Sequence, residues 1–304
     1  DWSSDVCSSD LWVGAAAMSM VAMSGIGIPT PTSGYPSSGW LDFDRDGFLD
    51  VATCGGSSTG LYRNNGNESF SNVAGVTLLS NKFCAVSVGD LDNDNWPDML
   101  YNSNSMVVVL INNRNSSFAL KNGPPATSGY QRLFDANNDG RLDLLTGYGF
   151  AAASAVYLND GTGAFSLVFT LPSSSTVSSP VEALDLNGDG YADLLYMYLI
   201  GSVNTAAAFM GSGNGSFARV ATNLFPAYPD CIAAGDFNND GAIDVMTTAK
   251  GVTVNLNVNG TALFENAISG TTALLYFYGV NGDFDNNGLL DVFHNRSEER
   301  RVGK

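Results

Sequence analysis

The chain has 304 residues, 44% of them hydrophobic, and a formal net charge of −17. That is apolar material enough for one large or two ordinary cored domains. The sign of the charge excludes nucleic acid or an anionic membrane as a direct electrostatic partner.

Both ends differ from everything between them. Residues 1–11, DWSSDVCSSDL, and 296–304, RSEERRVGK, read as translated sequencing-adaptor DNA rather than native protein, so the gene is expected to continue in both directions. Residues 12–33 form a lead-in that opens on an apolar run from Trp12 to Met23, too short to span a bilayer. It reads equally as the remnant of a signal-peptide core or as a strand of a preceding repeat.

From residue 34 to 295 one pattern returns. Nine residues recur six times: DFDRDGFLD from Asp42, DLDNDNWPD from Asp90, DANNDGRLD from Asp135, DLNGDGYAD from Asp185, DFNNDGAID from Asp236 and DFDNNGLLD from Asp283. Oxygen-bearing side chains fill position 1 (Asp42, Asp90, Asp135, Asp185, Asp236, Asp283), position 3 (Asp44, Asp92, Asn137, Asn187, Asn238, Asp285) and position 5 (Asp46, Asp94, Asp139, Asp189, Asp240, Asn287). Position 9 is always Asp (Asp50, Asp98, Asp143, Asp193, Asp244, Asp291), and position 6 is Gly or, once, Asn95, the residues that best tolerate a left-handed turn.

A hard cation accounts for this spacing. Ca2+ takes six to eight oxygens from carboxylates, amides and a backbone carbonyl, here the carbonyls at position 7: Phe48, Trp96, Arg141, Tyr191, Ala242 and Leu289. Without an ion, like charges this close repel by about 1 kcal/mol per pair even in water. Isolated Asp/Asn/Gly turns are common, but six copies in one frame are not explained by turn chemistry. The carboxylate at position 9 closes the cage before an EF-hand would, and no helical pattern follows, so these are hairpin calcium loops, up to six ions in all.

Loop starts are separated by 48, 45, 50, 51 and 47 residues, a period of solenoids or propellers. A second landmark, an Asn/Gly turn ending on Phe70, Phe118, Phe165, Phe217 and Phe264, follows each loop's first Asp by 28 to 32 residues. Between the landmarks lie short β-branched and aromatic segments without helical periodicity. The second repeat shows four strands: 85–89 before the loop, 99–101 after it, the nearly all-apolar 107–111, and one from Phe118. Four strands per unit of about 45 residues is the blade of an all-β propeller; five complete repeats and part of a sixth are visible.

The D-x-[DN]-x-[DN]-[GN]-x-x-D loop with its following L-Y-x-N-x-G-x-x-F turn resembles the FG-GAP/VCBS repeats of integrin α-chain propellers and many secreted microbial proteins. The resemblance spans Gly39 to about Asn295 and implies structural calcium, a family propeller that is usually seven-bladed, and an extracellular or cell-surface location. It implies an adhesion or protein-interaction scaffold. Alternatives are a carbohydrate-binding propeller lectin, or a noncatalytic repeat region of a larger secreted enzyme.

Other chemistry has little material. The single histidine, His294, has no nucleophile partner and is expected in a strand, and nearly every Asp belongs to a loop, so no catalysis is expected. Cys54, Cys84 and Cys231 are expected as buried thiols, with a Cys54–Cys84 bridge as the alternative. The sequons at Asn67, Asn115, Asn214 and Asn259 fall at turns and read as turn chemistry. The aromatic residues read mostly as packing between blades.

Overall fold

The computed structural model describes residues 12–13, 16–17, 26–29, 37–54, 59–76, 85–102, 106–125, 131–146, 154–172, 181–200, 203–222, 224–225, 231–248, 252–260, 264–269, 279–282 and 291–294. Among them are five four-stranded antiparallel sheets, each a meander in chain order. Two further sheets are two-stranded: β1 (Trp12–Val13) with β2 (Ala16–Ala17), and β23 (Gly279–Gly282) with β24 (Asp291–His294). The expected four-stranded repeat is therefore the observed one. Among the described residues no helix is long and apolar enough to cross a membrane.

The chain divides into two compact units: Asp1–Asp10, Ser19–Ser178 and Gly213–Ser216 in one; Leu11–Met18, Ser179–Ser212 and Phe217–Lys304 in the other. The first holds three sheets. These are β3 (Ser37–Leu41), β4 (Asp50–Cys54), β5 (Gly60–Asn64) and β6 (Phe70–Asn72); β7 (Val86–Gly89), β8 (Asp98–Asn102), β9 (Met106–Asn112) and β10 (Phe118–Pro125); and β11 (Gln131–Phe134), β12 (Asp143–Thr146), β13 (Ala155–Asn159) and β14 (Phe165–Thr170).

Its core lies between sheets, which explains the apolar third strand. Successive side chains of a strand point to opposite faces. Val108 and Leu110 of β9 pack with Leu41, Phe43, Ala52 and Leu61 of the first sheet, while Val107, Val109 and Ile111 pack with Leu144 of the third. A strand buried on both faces favours apolar residues along its length, and its one buried polar side chain, Asn112 at the end, has hydrogen-bond partners. The outermost strands β10 and β14 instead expose Leu120, Leu167 and Val168. Close approach of the sheets requires Gly89, whose Cβ would stand 2.5 Å from Leu142 and 2.9 Å from Leu133.

The second unit repeats the scheme with β15 (Val181–Leu184), β16 (Asp193–Ile200), β17 (Val203–Gly211) and β18 (Phe217–Thr222), then β19 (Cys231–Gly235), β20 (Asp244–Thr248), β21 (Val252–Asn257) and β22 (Phe264–Ser269). Leu195 and Ala206 pack there with Phe225 and Val245. The pairing of the third and outermost strands shifts register at Val156/Tyr157, Ala208/Phe209 and Val254/Asn255, the outermost strand carrying the extra residue (Val168, Val220 and Ala267), and β10 shifts likewise between Asn122 and Pro125. Such bulges increase twist at an edge and blunt it against strand addition.

Two expectations about side chains are settled here. Cys54 is disulfide-bonded, which corrects its reading as a free thiol; its partner falls outside the residues whose side chains are described. A wholly buried thiol, Cys54 being 0% exposed, packs as a small hydrophobe whether bridged or not, so an apolar setting does not distinguish the two. His294 ends β24, in a strand as expected.

Candidate metal centres

Each loop joins the first and second strands of its sheet, and the five described loops are wired alike. The position-1 carboxylate accepts the amides of positions 5 and 6: Asp42 from Asp46 and Gly47, both at 3.0 Å, and likewise Asp90, Asp135, Asp185 and Asp236. Position 5 accepts the amide of position 7, as Asp46 does from Phe48 at 2.9 Å. These bonds curl the loop around its own oxygens.

Two residues per loop are left-handed. Position 6 (Gly47, Asn95, Gly140, Gly190, Gly241) was legible from residue type; position 4 (Arg45, Asn93, Asn138, Gly188, Asn239) was not anticipated. The signal was present, since Asn and Gly fill four of those five places, the residues that visit this region most readily. Arg45 is the exception, at φ 56°.

Position 9 does more than close a cage. Asp98 accepts the amide of Leu91, at position 2, and that of Asn112, at the end of the third strand, each at 2.7 Å. Asp50, Asp143, Asp193 and Asp244 repeat both contacts. All five are wholly buried. Each joins the start of its loop to a strand 13 to 18 residues further on.

In the first two loops the carboxylates of positions 1, 3 and 9 converge: one oxygen from each of Asp42, Asp44 and Asp50, and of Asp90, Asp92 and Asp98, lies within 4.8 Å of the others. Asp44 Oδ1 and Asp92 Oδ1 are buried with no hydrogen-bond partner. An orphaned carboxylate oxygen in a buried position is costly unless something electropositive meets it. These donor sets therefore fit a hard divalent cation, whose preference is for anionic oxygen. In the third to fifth loops the position-3 residue is Asn, and Asn137, Asn187 and Asn238 donate to the carboxylate at position 5 at 2.8, 2.9 and 2.9 Å. Among the sixth loop's predicted ligands, Asp283, Asp285, Asn287 and Leu289 lie outside the described residues, and Asp291 opens β24.

The electrostatics record the same crowding. Burial, with the nearby charges of Asp44 and Asp46 adding to it, pushes Asp50 up to about 6 against the donors Asn64 and Phe43. Asp98 is pushed up to about 6 in the same way, by burial first and then by Asp92 and Asp94. Burial also raises Asp92, Asp143 and Asp193. At Asp139 burial is outweighed by the donors Asn137 and Arg141, which hold it below the ordinary range.

Sequence reasoning missed the asparagine of the turn motif. Asn112, Asn159 and Asn257 end the third strands of their sheets, and each donates twice through Nδ2. One acceptor is the position-8 carbonyl of the same sheet's loop; the other is the position-2 carbonyl of the preceding sheet, Phe43, Leu91 and Leu186 respectively, at 2.7 to 2.8 Å. These residues staple one blade's loop to the next. An Asn six residues before the Phe of the turn (Asn112, Asn159), or seven before it (Asn257), was the available signal. The sequon asparagines Asn67, Asn115 and Asn214 accept the hydroxyls of Ser69, Ser117 and Ser216, the turn chemistry expected of them.

A family model described as an FG-GAP-like repeat matches residues 42–101, 90–146 and 135–196. The chain belongs to the FG-GAP-like repeat family, and its fold class is the β-propeller of four-stranded blades. Among solved structures it is similar to an Agrocybe aegerita lectin described as recognising non-reducing terminal N-acetylglucosamine, at 17% identity, TM-score 0.53, over 92% of this chain and 76% of that one. It also matches the Photorhabdus luminescens Tc holotoxin pore (16% identity, TM-score 0.49, 89% of this chain, 14% of that one) and the V. cholerae biofilm matrix protein Bap1 (15%, 0.32, 84% and 58%). No curated protein matches the chain.

Proposed function

We propose that the chain is a calcium-stabilised propeller scaffold, exported or displayed at a cell surface, that binds a protein partner and performs no catalysis. The observation that carries this reading is the pair of converging triads with orphaned oxygens at Asp44 and Asp92. Side chains at positions 1, 3, 5 and 9, with the position-7 carbonyls, would hold the ion. Bound there, Ca2+ supplies charge neutralisation and a fixed oxygen cage. Position 9 then transmits that order to the sheet, because its carboxylate already holds both the loop start and the third strand.

Export is part of the proposal because these loops are taken to bind as extracellular calcium modules do, at about 10⁻⁴–10⁻³ M, too weakly to fill in a resting cytosol. The noncatalytic reading rests on the sequence, which offers one histidine and no nucleophile set beside it. Calcium titration by calorimetry tests the metal. Millimolar-range binding with several equivalents per chain supports it, and absence of binding or submicromolar affinity refutes the exported scaffold.

A second reading, a propeller lectin, is favoured by the likeness to the Agrocybe aegerita lectin. A glycan array containing terminal N-acetylglucosamine, run with and without calcium, separates the two.

A further inference from the structure

Two loops carry a fourth carboxylate, because position 3 is Asp rather than Asn: Asp44 in the first and Asp92 in the second. In those same two loops an arginine arrives from outside the nine residues. Arg63, on β5, donates Nε to Asp44 Oδ2 and Nη2 to Asp46 Oδ2, both at 2.5 Å. Arg114, in the turn after β9, meets Asp94 Oδ2 through Nε and Nη2 at 2.7 Å. In the third loop Arg141 contacts Asp139 from position 7. In the fourth and fifth loops Asn187 and Asn238 donate to the carboxylate at position 5.

We propose that Arg63 and Arg114 are internal counter-cations of the first two loops, so that calcium enters there by displacing a guanidinium and binds more weakly than it otherwise would. This rests on the calcium reading above. Position 3 and position 5 are both intended ligands, and in the first loop Arg63 holds one oxygen of each while Asp44 Oδ1 stays unpartnered. Asp44 Oδ1 is open to the ion, but a divalent cation ligated there and by Asp46 would stand beside the guanidinium and repel it, so binding at full strength needs the guanidinium to leave. It can, because the Arg63 side chain is 42% exposed and Arg114 56%, and half-exposed ion pairs are individually weak. Until then the arginine cancels one of four like charges, which keeps an ion-free loop closed. A planar fork bridging two carboxylates is a role that Lys, a point charge, fills poorly.

The test is calcium calorimetry on the full chain as wild type, Arg63→Gln and Arg63→Lys, with urea unfolding in EGTA and in calcium. Arg63→Gln is expected to raise the affinity of one calcium equivalent about tenfold, to lower stability in EGTA, and to leave calcium-saturated stability unchanged. Arg63→Lys is expected to fall between wild type and Gln in both. If wild type binds calcium and neither variant changes any equivalent's affinity, the counter-cation assignment is overturned while the metal reading stands. If no protein binds calcium, the metal reading fails and this inference with it. Arg114→Gln repeats the measurement at the second loop, with the same expectation.

Discussion

The staple formed by Asn159 makes the blade interface open to a quantitative test. Asn159 is 2% exposed. Its Nδ2 donates to Leu91 O at 2.8 Å and Leu142 O at 3.1 Å, and its Oδ1 accepts the amides of Gly161 and Gly163, both at 3.1 Å. Asn159→Ala removes four bonds and leaves the main-chain bond to Asp143 intact. At about 1 kcal/mol net per bond the loss is about 4 kcal/mol. Asn112→Ala removes three, at 2.8, 3.2 and 2.9 Å, for about 3 kcal/mol. Asn64, in the first sheet, makes two exposed side-chain bonds among the described residues, to Leu49 O and from Gly66 N, so Asn64→Ala costs at most about 1 kcal/mol. Urea unfolding in saturating calcium measures all three, read from the shift in midpoint at constant slope. An Asn159→Ala loss equal to that of Asn64→Ala would refute the staple. The three should keep their order in EGTA, since none of these bonds involves a metal.

Removing calcium should lower Tm. At about 10 mM calcium and dissociation constants of about 10⁻⁴–10⁻³ M, each occupied site contributes about 1.4–2.7 kcal/mol, and a Tm indifferent to EGTA would contradict the metal reading. pH should act with opposite signs in the two conditions. Asp50 and Asp98 titrate near 6 when folded and metal-free, above their unfolded value of 3.8, so their contribution to stability is fully present below that value and is lost as pH rises through about 6. The carboxylates held low, Asp139, Asp160 and Asp240, are already ionised in both states above about pH 5 and do not oppose this trend. Chelated protein should therefore lose stability between about pH 4.5 and 7, by unfolding at fixed temperature. Calcium affinity at the first two loops should weaken about tenfold per pH unit below about 6, as a proton and the ion compete for one carboxylate; calorimetry across that range checks it. Gly140→Ala should cost about 1–2 kcal/mol through backbone strain alone, because φ there is 80° and nothing lies within 4 Å of the added Cβ; circular dichroism melts measure it, and a neutral result would mean the loop relaxes.

How much of this molecule could be read before folding depends on the range of each interaction. The loops were legible because their wiring is local: Asp42 bonds four and five residues ahead, Asp46 two ahead, and left-handed Gly47 sits between them. Nine residues contain both the donors and the acceptors, so a single sequence displays the whole device, and its recurrence every 45 to 51 residues displays the blade. The apolar run of β9 was legible as a strand for the same reason. What covers its two faces was not.

The rest was decided by partners far away in the chain. Asn112, Asn159 and Asn257 reach carbonyls 69, 68 and 71 residues back, and Arg63 reaches Asp44 from 19 residues on. Residue type announces that a side chain can donate; only packing one sheet against the next determines which acceptor it meets. The same holds for position 9. As a letter it is one more calcium ligand, but folding buries it completely and turns it toward two main-chain amides, so that one carboxylate orders a loop and a strand together.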